Sequence, residues 1–261
     1  MTLSPSGILD RLEGMLRGAG GELPLEETAV ELLRAGRADL ARKVLANLLR
    51  NDLRFRVRDG TVALRTREGL PGGTPLSEIE FAVLDFETNG YPPQDRAIEV
   101  GVACFRAGAE TASFQTLIDP GTPISPFVVR LTGIRPEELR GQPSFERAWP
   151  DIEPLLEGRV LVAHNLPFDR RILRCEVALM EQPRPVAADS LCTLKLARRL
   201  LPKGEPKSLD ALAERFGFEF AARHRALDDA RMAGRILFRL VELAAENVQM
   251  ETLEDLREFL K

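Results

Sequence analysis

The stretch Phe81-Ala-Val-Leu-Asp-Phe-Glu-Thr-Asn-Gly90 decides how the rest of the chain is read. Four apolar residues, the pattern of a short buried strand, run into two carboxylates two positions apart, and Thr-Asn-Gly closes the segment as a turn. Side chains alternate faces along a strand, so Asp85 and Glu87 project on the same side. An apolar run offers no structural reason to set two like charges together at its end. A divalent cation with oxygen ligands would replace their repulsion with coordination. An isolated Asp-x-Glu is more often a strand entering an acidic surface turn, so the reading depends on what else in the chain joins the pair.

Downstream, Ala97–Phe105 and Thr111–Ile118 read as strands that follow short, turn-rich gaps. Gaps of this length allow antiparallel pairing and leave no room for a crossover helix, which predicts a three-stranded meander. Leu131–Ile134, Arg135–Leu139 and Phe145–Leu156 form a helical middle section, and Arg159–Ala163 is a compact apolar strand ending in His164-Asn165-Leu166-Pro167-Phe168-Asp169. Pro167 suits the first turn of the helix expected over Phe168–Met180, since its missing donor costs nothing there. Asp169 then sits in that turn beside the strand end, a place where a helix favours a carboxylate in any case. Asp189–Leu201 and Ser208–Phe216 read as two further helices, and His224-Arg-Ala-Leu-Asp-Asp-Ala230 opens a long one running to about Ala245. Residues five apart on a helix point about 140° away from each other. His224 is therefore expected on the loop ahead of the helix, with Asp229 turned toward the sheet and Asp228 turned elsewhere.

The first part of the chain has a different pattern. Residues 7–18, Leu25–Leu33 and Ala38–Leu49 carry apolar residues at helical spacing, the last with Leu40, Val44, Leu45, Leu48 and Leu49 as its stripe. Leu53–Val57 and Thr61–Arg65 flank Asp59-Gly60 as a hairpin. Three helices followed by a hairpin is the order of a winged helix. Basic residues concentrate where such a module meets DNA: Arg42, Lys43 and Arg50 on or after the third helix, and Arg54, Arg56 and Arg58 on the hairpin. The alternatives are that these arginines are merely the wet face of a hairpin, or that the module docks on protein. A Gly/Pro-rich stretch follows, and the domain division it implies is 1–68, a linker at 69–77, 78–243, and an amphipathic helix at 244–261.

The net charge of −4 on 261 residues does not announce a nucleic-acid binder. No apolar run is long enough to span a bilayer, which excludes a membrane partner of that kind, and Met1-Thr-Leu-Ser-Pro lacks the basic and apolar regions of a signal peptide, which predicts a cytoplasmic protein. Cys104, Cys175 and Cys192 are odd in number and widely spaced, so neither a disulfide framework nor a zinc site is indicated. Any role needing an imidazole has two candidates, His164 and His224.

Asp85-x-Glu87, His164-Asn165-x-x-Phe168-Asp169 and His224-x-x-x-x-Asp229, in this order, resemble the DEDD-type exonucleases. More narrowly they resemble the histidine-bearing, DnaQ-like branch, which includes the proofreading epsilon subunit of bacterial replicative polymerase, ribonuclease T and oligoribonuclease. Leu131-Thr-Gly-Ile134, Ser208-Leu209 with Leu212, and His224-x-Ala-Leu-x-Asp-Ala230 extend the likeness over about Ile79–Leu240. The tyrosine branch does not fit, because Arg225 stands four residues before Asp229. Arg130 before the Leu-Thr-Gly-Ile segment departs from relatives that often carry histidine there.

The resemblance implies an α/β, ribonuclease H-like exonuclease domain, a mixed sheet flanked by helices; the small winged-helix-like α+β domain ahead of it is read on pattern alone. It implies that Asp85, Glu87, Asp169 and Asp229 hold two divalent cations, Mg²⁺ or Mn²⁺, about 4 Å apart on either side of one phosphate. His224 is the general base in that scheme, and the outcome is 3′→5′ hydrolysis to 5′-mononucleotides. His164 is read as a hydrogen-bonding, structural residue. Phe86, Thr88, Gly90, Asn165 and Phe168 are expected to meet the terminal nucleotide, although core packing accounts for Phe168 equally well. The partners implied are single-stranded 3′ ends and a DNA polymerase or repair complex, to which the winged-helix reading adds duplex DNA. DNA is the favoured substrate. The alternatives are an exoribonuclease or oligoribonuclease, and an inactive nucleic-acid-binding regulator, which would lack at least one ligand.

Overall fold

A computed structural model describes residues 5–19, 21–49, 55–58, 60–64, 73–93, 95–182, 189–248 and 250–260. The chain divides into two units, Met1–Arg67 and Glu68–Lys261.

The first unit runs α1 (Pro5–Gly18), β1 (Glu22–Pro24), α2 (Leu25–Leu33), α3 (Ala38–Leu49), β2 (Phe55–Arg58) and β3 (Thr61–Leu64). Its sheet has the order β1-β3-β2, antiparallel throughout. Sequence pattern did not foresee β1. Three residues including a proline carry no period, and the strand is defined by its ladder to β3, with Leu23 opposite Val62. The core closes around Leu12, Leu16, Leu45, Phe55 and Val62. On α3 the buried line is Ala41, Leu45 and Leu49, each four apart. Leu40 and Val44, expected in the buried stripe, are 54% and 42% exposed, because each lies about 100° around the helix from that line. Arg42 and Lys43 are exposed on α3, and Arg56 and Arg58 belong to β2. Arg50 and Arg54 lie outside the described residues.

The second unit runs β4 (Glu80–Thr88), β5 (Ala97–Arg106), β6 (Ala109–Leu117), α4 (Pro126–Thr132), α5 (Pro136–Leu139), α6 (Phe145–Leu156), β7 (Val160–Ala163), α7 (Leu166–Ala178), β8 (Ser190–Cys192), α8 (Thr193–Leu200), α9 (Leu209–Phe216), α10 (Ala226–Val248) and α11 (Leu253–Phe259). β4, β5 and β6 form the antiparallel meander, and β7 and β8 extend it in parallel, giving the order β6-β5-β4-β7-β8. β8 corrects the single helix expected over Asp189–Leu201. Its three residues carry no alternation of their own, and they pair with β7 before the helix starts at Thr193.

Alternation along β4 sorts its side chains between two cores. Phe81 and Val83 join α10, α8 and α9, whereas Ala82, Leu84 and Phe86 face α6 and α7. Asp85 and Glu87 continue the first series and so point to the side on which α10 packs. The tail 244–261 divides between the end of α10 and α11, whose Leu253 and Leu256 are buried in the first of these cores. Thr74–Leu76 is bonded to this tail: Leu76 N–H donates to the Glu251 carbonyl and Leu253 N–H to the Thr74 carbonyl.

The start of α10 lies on β5 at Gly101. A Cβ there would be 2.2 Å from the Leu227 nitrogen and 2.3 Å from the Ala226 carbonyl carbon, and backbone cannot give way as a flexible side chain can. Replacing Gly101 by alanine is expected to cost about 3 kcal/mol, read as a lowered urea midpoint, by forcing α10 off the sheet. An unchanged midpoint would show that the two backbones are not held at this distance.

Candidate active site

Asp85 and Glu87 stand at the carboxyl end of β4. The other acidic residues are brought to them by helix starts. After β7 the chain turns through Asn165 in the left-handed region, φ 71°, and enters α7 with Asp169 in its first turn. Asp169 is 2% exposed and its Oδ1 accepts the Phe86 N–H at 3.2 Å, so it is fixed to the backbone between Asp85 and Glu87.

The start of α10 is fixed by a carboxylate that sequence reasoning missed. Glu99 lies opposite Glu87 in the β4–β5 ladder and is fully buried. It accepts Ala226 N–H at 2.9 Å, the Arg225 guanidinium at 2.6 Å and Gln115 Nε2 at 2.6 Å. The indication was present in Ala97-Ile-Glu-Val-Gly-Val: a lone acid in an apolar run must find partners inside, since a buried charge is tolerated only when paired and hydrogen-bonded. Gly101 in the same run marks the close backbone approach. These contacts place His224 on the loop ahead of α10, at φ 61°, and Asp229 in the helix. Ligand atoms of Glu87, His224 and Asp229 lie within 4.8 Å of one another. Asp228 turns away and pairs with Arg231 at 3.8 Å.

Burial pushes the Asp85 carboxyl well up from its ordinary range, and the charges of Asp169, Glu87 and Asp229 push it further. Burial likewise raises Asp169 against the opposing Phe86 N–H, takes Glu87 to about 7, and takes Asp229 to about 6 although Arg223 resists. Arg223 bonds Asp229 Oδ2 and makes a two-pronged pair with Asp210, at 2.5 and 3.0 Å, while lying over the Phe220 ring at 5.0 Å. Neither Arg223 nor Asp210 was singled out from sequence, because the residue before the motif histidine and a helix-start aspartate both have ordinary explanations. Asp229 Oδ1 is buried without a hydrogen-bond partner. Four carboxylates whose negative charge is disfavoured by burial, one with an unpartnered buried oxygen, are a donor set that would fit divalent cations such as Mg²⁺ or Mn²⁺.

The expected nucleotide neighbours divide. The Phe86 ring is buried and lies 6.1 Å from Phe145, so only its backbone N–H reaches the site; alternation sends its side chain to the opposite core. Thr88 is buried. Gly90, at φ 78°, lets α4 approach so closely that a Cβ would meet Val128 at 2.6 Å and Ser125 at 2.7 Å. Asn165 is exposed, and Phe168 is half-buried with the Arg171 guanidinium 5.3 Å from its ring centre. The His164 Nδ1 lies 2.9 Å from Thr193 Oγ1, and burial lowers its pKa to about 4, so the ring is neutral at ordinary pH.

Residues 82–237 match the RNase T family model, whose description is Exonuclease. The chain belongs to that exonuclease family. It is 32% identical over 181 residues to the DNA polymerase III subunit epsilon of Aquifex aeolicus, a match covering 69% of this chain and 86% of that one. It is 36% identical over 195 residues to a PolC-type DNA polymerase III of Thermotoga maritima, covering 71% of this chain and 14% of the polymerase. The chain thus spans a small part of the polymerases it matches. Among solved structures it is similar to exonuclease X in complex with 5′ overhanging duplex DNA, with a TM-score of 0.55 and 25% identity over 69% of this chain and 99% of that one. The second unit accordingly has the ribonuclease H-like exonuclease fold.

Because Glu87 and Asp229 bind protons more tightly folded than unfolded, the metal-free family member keeps protons that the unfolded chain has released. Its stability therefore falls as pH rises from about 4 through about 6 and 7, and cations that replace those protons restore it. Melting temperatures in EDTA and in Mg²⁺ are expected to diverge steadily between these limits. A constant gap would show that the acids do not share a cation.

Proposed function

We propose that this protein is a 3′→5′ exonuclease that removes 5′-mononucleotides from DNA, with Asp85, Glu87, Asp169 and Asp229 as metal ligands and His224 as general base. The convergence of strand end, α7 start and α10 start on one acidic cluster carries this reading. Two Mg²⁺ or Mn²⁺ ions held there would supply Lewis-acid stabilisation of charge at the scissile phosphate. His224 stands on a loop within reach of Glu87 and Asp229, and burial together with Arg223 lowers its pKa. It is thus unprotonated at neutral pH and fit to take a proton from the attacking water. Asp169 is held by Phe86 N–H and Asp229 by Arg223, so both enter the reaction already oriented.

DNA is favoured by the polymerase III relatives and by the duplex in the exonuclease X complex. A polymerase or repair complex is the matching partner. The Met1–Arg67 unit adds support, because its order of helix, strand, two helices and a two-stranded hairpin, with the sheet order β1-β3-β2, suits the winged-helix reading. Arg42 and Lys43 on its exposed α3 face suit DNA phosphates. An exoribonuclease is the second reading, and matched DNA and RNA single strands separate the two by rate.

Purified protein with Mn²⁺ is expected to shorten a 5′-labelled single strand progressively from its 3′ end. His224→Ala should lower kcat by about 10²- to 10⁴-fold, the usual contribution of a positioned base. Asp229→Ala should abolish shortening; equal degradation by Asp229→Ala and wild type would refute the catalytic assignment.

A further inference from the structure

Beside the acidic cluster, α8 presents an outer face that the reaction scheme leaves unused. Leu196 and Ala197 pack inward, and Lys195 and Arg198, three residues apart and so on neighbouring positions of one face, are exposed. Two cavities flank this face. One, of 510 Å³, lies between α8 and the 202–208 loop; the other, of 560 Å³, lies between α8 and the start of α7 at Asn165. Leu194 and Arg198 line both, so they form one groove with Arg198 at its middle. Each lobe is within the size range of a site for one small organic ligand, about 300 to 1,000 Å³.

The groove is positive. Lys195, Arg198 and Lys203 have no acidic partner among the described residues. Lys207 donates to the neutral carbonyls of Pro202 and Glu205, at 2.7 and 2.8 Å, and to no carboxylate among the described residues. The Glu205 carboxylate is taken by Arg215, and Asp189 by Arg257. Among the described residues no unpaired carboxylate therefore lines either lobe. The groove also adjoins the acidic cluster: His164 walls the first lobe and follows β7, which lies parallel beside β4 with Val162 opposite Val83, so it stands next to the strand end that carries Asp85 and Glu87. The neutral imidazole, bonded to Thr193, is a wall without charge of its own. A positive channel of two lobes, beginning beside a site that acts on a strand end, matches a chain of phosphates better than a single anion.

We infer that the groove across α8 holds the single strand leading to the acidic cluster, with Lys195, Arg198 and Lys203 binding its phosphates. The identity of the occupant rests on the exonuclease reading; the positive groove itself does not. Binding of a fluorescent single strand of about 20 nucleotides to the 261-residue protein in EDTA, followed by anisotropy across a salt series, tests it without cleavage. The double variant Lys195→Gln with Arg198→Gln is expected to bind about tenfold more weakly, and its log–log salt slope to be shallower by about 1.4, about 0.7 for each lost single-strand contact. Hydrolysis of the p-nitrophenyl ester of thymidine 5′-monophosphate with Mn²⁺, which needs only the acidic cluster, should stay at the wild-type rate. Should the double variant melt below wild type, Lys195→Gln and Lys203→Gln singly should each still flatten the slope by about 0.7. Equal affinity and equal slope in wild type and variants would overturn the groove, as would an acidic peptide that binds it and leaves the nucleic acid bound. A wild type that binds through these residues and cleaves nothing would instead overturn the exonuclease reading and leave the groove standing.

Discussion

Mutual repulsion among Asp85, Glu87, Asp169 and Asp229 in a poorly hydrated site is the constraint on which the second unit depends. Left to relax, the carboxylates would separate or stay protonated. The fold prevents separation by attaching each to rigid backbone. Two belong to β4, one receives a strand N–H, and one begins a helix that a buried glutamate holds against the sheet. What remains free to change is charge, by protonation or by a nearby cation. Among the described residues Arg223 is the basic side chain in direct contact with the cluster, and Asp210 holds its other side.

Strand period made much of this legible. Two residues apart means one face, so Asp85-x-Glu87 could be read as a pair without coordinates. Helix period did the same for His224 and Asp229, whose spacing excluded a shared helical face and put the histidine on the loop where it lies. The meander followed from gap lengths. What stayed hidden depended on tertiary partners. β1 and β8 are three residues each and exist because another strand offers a ladder. Glu99 required knowing what faces it, and Phe86 was assigned to the site although the alternation that places Asp85 and Glu87 sends its ring the other way. On α3, five apolar residues were more than one buried line could take, and Leu40 and Val44 fell outside it.

Glu99 also shows how a site can be held by a residue of the same charge as its own acids. It stands across from Glu87 and adds to the pressure that raises that carboxyl. Arg225, Gln115 and Ala226 N–H absorb its charge from the other side, so the cost stays local while the helix start is held. Gly101 supplies the complementary condition, space for the backbone that Glu99 draws in.

The bonds between Thr74–Leu76 and Glu251–Leu253 have an architectural consequence. The segment just ahead of β4 and the turn just ahead of α11 close on each other as a short antiparallel clasp. Each supplies backbone partners that the other would otherwise lack, so cutting away either would strand a donor and an acceptor on its mate and loosen both flanks of the unit at once.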